Sequence, residues 1–305
     1  MRKLLLLLKR LFKKPQQALP KPPPVTTPAE PIKPLPPVEA PKPLLDLWTK
    51  QALEISQSFE GSDPWANITG NFDGAGLTCG ALGWTIKWNN QQRLVKDFVK
   101  AHGLSELMAL MPKTGNEYWK ITKLPEEAAL AEVNAWSRGQ SKVLQPYREE
   151  LRAFWKDERM KDIQVKYAEA DMGTFAMRQA QATQSYFKLQ EPKFHHFAYW
   201  FDQAVLNGTG KTPSLVDGEE FTLKDVLDWM ASETGYAQGD FKKNHQLWSK
   251  ERLDVQSLHL LKLAMVRAQR SREQFDTVTM NRRGTLAVKK GYVNGTLRDL
   301  TNILS

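Results

Sequence analysis

From residue 44 onward the apolar positions fall into a helical rhythm. Leu44, Trp48, Ala52, Ile55 and Phe59 recur at intervals of four, four, three and four, which marks one face of an α-helix. Glu60 stands at the end of that face and Gly61 follows as a stop signal. The next segment, "NFDGAGLTCGALGW", holds too much glycine for a helix. Its turn residues and the apolar or β-branched Leu77, Thr78, Leu82 and Trp84 predict a short hairpin or irregular strand pair. Asn89 or Asn90 then caps a helix whose face is Leu94, Val95, Phe98 and Val99, ending at His102-Gly103. Downstream the pattern stays helical. "FAYWFDQAVLNG" (197–208) is apolar and ends in glycine. Thr222 precedes Asp225 by three residues, like a capping box. Residues 251–275 carry Leu258, Leu261, Ala264 and Met265 toward a core. There is no repeat and no long alternating strand. The expected architecture is α+β, mainly α, with one small β-hairpin lobe near Asp73.

Composition changes this picture only before residue 44. Of the formal charge of +9, residues 1–14 ("MRKLLLLLKRLFKK") hold +6 and residues 15–43 a further +1, leaving +2 for residues 44–305. The main domain is thus nearly neutral, and its charge indicates no groove for a nucleic-acid backbone. The run Leu4–Leu8 is too short for the core of a signal peptide, which needs about 7–15 apolar residues. It is also shorter than the roughly 20 residues that span a bilayer. A basic amphipathic segment contacting an anionic membrane, a weak export signal and a solvated tail are the three readings of residues 1–14. Residues 15–43 hold 12 of the 18 prolines and read as a stiff extended spacer, so the domain begins at Leu44. With one cysteine, Cys79, the chain can form neither an internal disulfide nor a cysteine zinc cage.

The chemistry of interest lies at Glu60 and Asp73. Glycoside hydrolysis needs a protonated carboxyl group to release the leaving oxygen and an ionised one to activate water or attack the sugar. A glutamate ending an apolar helix suits the first role, because desolvation favours its neutral form. An aspartate on a hydrated glycine turn suits the second. The neighbouring glycines allow close approach of a sugar to the backbone.

Residues Asp73 to Trp84, "DGAGLTCGALGW", are similar to the "D-G-x-G-x-T-x-G-x-x-G-aromatic" segment of the family 46 chitosanases, within the lysozyme superfamily. The close likeness covers about 27 residues, with fainter echoes in "FAYWFDQAVLNG" and in residues 281–300. The resemblance implies a two-lobed lysozyme-like fold with its β-hairpin lobe at the cleft, and an inverting mechanism. It also implies Glu60 as general acid, Asp73 as general base and Thr78 as the residue that holds the attacking water. Gly76, Trp65 and Trp84 are the candidate substrate contacts; no metal and no cofactor is expected. Two features depart from the family: Ala75 stands where arginine is usual, and the interval from Glu60 to Asp73 is shorter. A polycationic substrate calls for an acidic cleft, whereas this domain is slightly basic. The favoured substrate is therefore peptidoglycan, in the bacterial envelope or as a phage lysis or virion protein.

The alternatives are a chitosanase, a lytic transglycosylase needing only the glutamate, a non-catalytic wall- or membrane-binding protein, and a nucleic-acid binder acting through the tail. Elsewhere, Cys79 reads as a small buried residue, His195-His196 as structural or exposed, and Asp202 as a core ion-pair residue. "RAQRSREQ" and "NRR" read as solvated faces, or else as partners of buried acids.

Overall fold

The computed structural model describes residues 42–60, 63–71, 74–209, 221–233, 239–271 and 276–305. All of them lie in the compact unit Glu39–Ser305. The expectations for residues 1–14, for most of the linker, for Gly61 and for Asp73 fall outside the described residues.

Helix α1 spans Lys42–Ser58, starting two residues before the sequence-based boundary. Its apolar face packs on α9 (Phe194–Asn207) and on a π-helical turn at Ala168–Gly173. Helix α9 is buried on every side, from Phe197 through Ala204. A helix buried on every side lies at the centre of a bundle, and its polar Asp202 and Gln203 are enclosed with it. It packs against α8 (Thr174–Tyr186) and α13 (Asp276–Val288). Around this centre lie α10 (Leu223–Ser232), α11 (Gly239–Trp248) and α12 (Val255–Gln269). Helix α10 opens with the full Thr222–Asp225 capping box. A hairpin of β4 (Lys290–Val293) and β5 (Thr296–Asp299) packs on α13 and α11. Residues 281–300 thus contribute a second β element where only one was expected.

A second group of helices carries the first sheet. It comprises helices α2 (Asn90–His102), α3 (Leu104–Leu110), α4 (Gly115–Ile121), α5 (Glu126–Ser137), α6 (Tyr147–Trp155) and α7 (Glu158–Tyr167), of which α2 and α6 pack directly on the strands. The sheet has three short antiparallel strands, β1 (Ile68–Thr69), β2 (Thr78–Cys79) and β3 (Trp84–Thr85). The architecture is therefore mainly α with small antiparallel sheets. Asn89 is the N-cap of α2, but it adopts a left-handed backbone and its side chain makes no capping bond.

So short a sheet leaves many backbone groups unpaired, and buried amide side chains satisfy them. Gln91 donates to the carbonyls of Leu77 (2.6 Å) and Trp84 (2.7 Å) and accepts from the Tyr118 hydroxyl at 2.8 Å. Gln92 donates to Ile86 O at 2.9 Å. Gln164 accepts from Ala81 N (3.1 Å) while donating to Trp155 O (2.9 Å). These side chains, rather than a strand ladder, hold the glycine-rich segment in place.

Candidate active site

Glu60 follows the last turn of α1, its backbone N–H donating to Gln57 O at 2.9 Å. Its carboxylate meets Arg282, which projects from α13 across 222 positions of sequence. The bond runs from Nη1 of Arg282 to Oε1 of Glu60. The Glu60 side chain is 31% exposed, whereas that of Arg282 is 7% exposed. The other edge of the guanidinium is fixed by Asp202 of α9. Arg282 Nε reaches both Asp202 oxygens (2.9 and 3.0 Å) and Nη2 reaches Oδ1 at 2.7 Å. Ser56 of α1 adds a bond to the same Oδ1 at 2.9 Å. The Phe59 ring centroid lies 5.1 Å from the guanidinium carbon.

Two acids and one planar cation thus form a row from the core to the surface. Asp202 is fully buried. Burial works against the charge on Arg282, but Asp202 and Glu60 outweigh it and hold the guanidinium above its ordinary pKa. The neighbouring Arg283 is also fully buried, and none of its side-chain nitrogens finds a hydrogen bond. Burial lowers its pKa; Tyr199 and Asp202 offset part of that effect. "NRR" is therefore not a solvated face: both arginines are buried, and Arg282 bridges the buried Asp202 and the partly exposed Glu60. Asp202 is the core ion-pair residue that its aromatic surroundings suggested.

The C-terminal hairpin closes the other side. Asn294, at the β4–β5 turn, donates to Phe59 O at 2.7 Å. It also lines a cavity of about 200 Å³ with Asp240, Phe241, Asn281 and Val293. Glu60 is not among the residues that line this cavity; its carboxylate meets a guanidinium, where the sequence suggested only an apolar helix end.

The remaining sequence candidates separate. Asp73 lies outside the described residues, while the loop directly after it turns on positive φ at both Gly74 and Gly76. Thr78 sits half-buried in the central strand, opposite Thr69 and Thr85. Gly76 is buried with φ +83°, and a Cβ there would lie 2.6 Å from Leu130 Cδ2. Its N–H donates to Asn71 Oδ1 at 2.9 Å. That glycine admits a neighbouring helix, where approach of a sugar was expected. Trp84 is 3% exposed and its ring meets Tyr167 edge-on, so its faces are closed to a sugar. Trp65 is half-buried with the Lys161 ammonium 5.8 Å from its ring. Cys79 is fully buried, and burial pushes its thiol well above the usual value. His195 and His196 are buried; His195 Nε2 bonds Leu286 O at 2.8 Å. Among the described residues no cluster of His, Cys, Asp or Glu suits a metal ion.

Sequence reasoning gave Asn294 no role and offered Arg282, within "NRR", as either a solvated residue or a partner of buried acids; the second holds. The available signal was the "NRR" pair just before the apolar Leu286-Ala287-Val288 run, where burial of the helix would demand internal partners.

The chain is similar in structure to a native chitosanase from Bacillus subtilis MY002, at 14% identity and a TM-score of 0.45, over 82% of this chain and 97% of that one. It is also similar to a point mutant of a chitosanase from the same strain, complexed with 6 GlcN, at 13% identity and a TM-score of 0.45, over 82% of this chain and 98% of that one. A Gynuella sunshinyii GH46 chitosanase in complex with chitotetraose matches at 12% identity and a TM-score of 0.44, over 82% of this chain and 96% of that one. No protein-family model and no curated protein matches the sequence.

Proposed function

We propose that this protein is a glycoside hydrolase that cleaves β-1,4 bonds of peptidoglycan by an inverting acid/base mechanism. The observation that carries the reading is Glu60, a partly exposed carboxyl group held through Oε1 by Arg282. To act as general acid Glu60 would carry a proton on Oε2, taken up from solvent before each turnover, while Oε1 stays bonded to Arg282 and holds the group in position for the glycosidic oxygen. Asp73, which directly precedes Gly74 in the sequence, would take the proton from water, and Thr78 would orient that water. The substrate assignment rests on charge: a domain of about +2 has no excess of acid to attract a polycation, whereas wall glycan carries carboxylates. Residues 1–14 would bring the enzyme to the anionic surface of the bacterial envelope, in a host or a phage setting.

The test is digestion of purified murein, and in parallel of chitosan, read by mass spectrometry. Wild type should release reducing muropeptides from murein. Glu60→Gln should lower the rate by roughly 10²–10⁴-fold while keeping the fold. Undiminished lysis by that variant would discard the assignment. Anhydro-sugar products with an active Asp73→Asn variant would convert the reading to a lytic transglycosylase. Release from chitosan alone would move the substrate to that polymer.

A further inference from the structure

Trp88 occupies a position that neither core packing nor the proposed chemistry accounts for. It is 62% exposed, and it is the only aromatic among the strongly exposed large apolar side chains of the described residues. Its backbone lies in the left-handed region (φ 65°, ψ 15°), and Asn89 follows at φ 57°. A bulky residue with positive φ is a conformational outlier. Such strain persists only where the surroundings over-determine it, and it concentrates at ligand-contacting sites. Here three bonds impose it. Thr85 Oγ1 donates to Lys87 O at 2.7 Å, Lys87 N donates to Ala75 O at 3.1 Å, and Trp88 N donates to Glu126 Oε2 at 2.8 Å. The second bond ties the turn to the loop at Gly74–Gly76. The Lys87 ammonium stands 5.3 Å from the ring centroid.

We propose that Trp88 is a glycan-stacking platform beside the glycine-rich loop, using the ring face opposite the Lys87 ammonium, and that Lys87, which lies over the ring, engages a carboxylate on the same strand. The indole face carries negative π density, and the C–H bonds on one face of a pyranose carry the opposite partial charge. A rigid two-torsion side chain already held in solvent loses little entropy when a sugar covers it. Lys87 adds a charge contact that lactyl or peptide carboxylates of wall glycan can use and that glucosamine ammonium groups cannot, though Glu126 nearby tempers it. The ligand class follows from the peptidoglycan reading above; the stacking role itself needs only a pyranose face.

The experiment is calorimetric titration of the full chain, carrying Glu60→Gln to stop turnover, with a soluble N-acetylglucosamine–N-acetylmuramic acid tetrasaccharide. Trp88→Ala should raise Kd about tenfold, and Trp88→Phe should restore most of the loss. Trp88→Gly should weaken binding equally yet raise the melting temperature, since glycine adopts this backbone without strain. A purely structural tryptophan would not give that opposed pair of changes. Lys87→Gln should weaken the muramyl ligand about threefold and leave the N-acetylglucosamine tetramer unaffected. Binding by Trp88→Ala within twofold of its parent, or failure of the parent to bind either oligosaccharide at millimolar concentration, overturns the proposal. Retained hydrolysis by Glu60→Gln would instead remove the catalytic assignment and leave the binding result standing.

Discussion

Replacing Asp202 by asparagine isolates the charge at the root of the site. The change keeps size and shape, so no cavity forms. It removes the anion that accepts three bonds from Arg282 and one from Ser56. In the wild type, two acids, Glu60 and Asp202, sit beside two buried guanidiniums, Arg282 and Arg283. In the variant both cations depend on Glu60, which is partly in water and touches only one of them. Leaving a buried charge without its partner costs about 3–5 kcal/mol. For a unit of this size each kcal/mol lowers Tm by about 2–4 °C, so the expected fall is roughly 6–20 °C. The control is Glu60→Gln, which removes the exposed end of the same row. Its solvent screening limits the stability change to about 1 kcal/mol or less. Urea denaturation followed by circular dichroism should therefore rank the Asp202→Asn loss well above the Glu60→Gln loss, while activity on murein should fall most in Glu60→Gln. A loss below about 1 kcal/mol for Asp202→Asn, or equal losses in the two variants, would refute the assigned charge row.

Two further outcomes test the frame around the site. Gly284 of α13 lies against the buried indole of Trp248, whose Nε1 donates to Lys290 O at 2.7 Å. A Cβ there would overlap the ring, so Gly284→Ala should destabilise by about 1–3 kcal/mol, measured by urea midpoint, despite alanine's better helix propensity; a stabilised variant would contradict this packing. Burial lowers the pKa of His195 to about 4 and, with repulsion from His195, that of His196 to about 3. An unfolded imidazole titrates near 6.5, so between about pH 6.5 and 4 the unfolded chain binds more protons and stability is lost as pH falls. His195 alone should contribute on the order of 3 kcal/mol to that loss. Urea midpoints across this window should fall toward acid, with a flatter slope in His196→Leu; midpoints independent of pH would show that neither imidazole is held neutral.

What the sequence discloses of this fold divides by range. Helix α1, the Thr222 cap and the glycine-driven break before β2 are written in residues a few positions apart, where periodicity and turn chemistry act directly. The Glu60 position could be singled out for the same reason: it ends a visible helix. Its chemical setting could not, because the partner lies 222 residues away on a helix whose own pattern is ambiguous. An arginine pair in a helix ordinarily reads as a solvated face, since unpaired charges are too costly to bury. The rule fails here because α9 delivers Asp202 to the same point, and only the packing of α9 on α13 discloses that encounter. The same logic separates the tryptophans. Trp84 and Trp88 are four residues apart and equally apolar, yet one is sealed against Tyr167 and the other is held in water. Their difference arises from three hydrogen bonds that force a left-handed turn at Lys87–Asn89. No local propensity would place a tryptophan there, so the turn is specified by its neighbours, against the preference of its own residues.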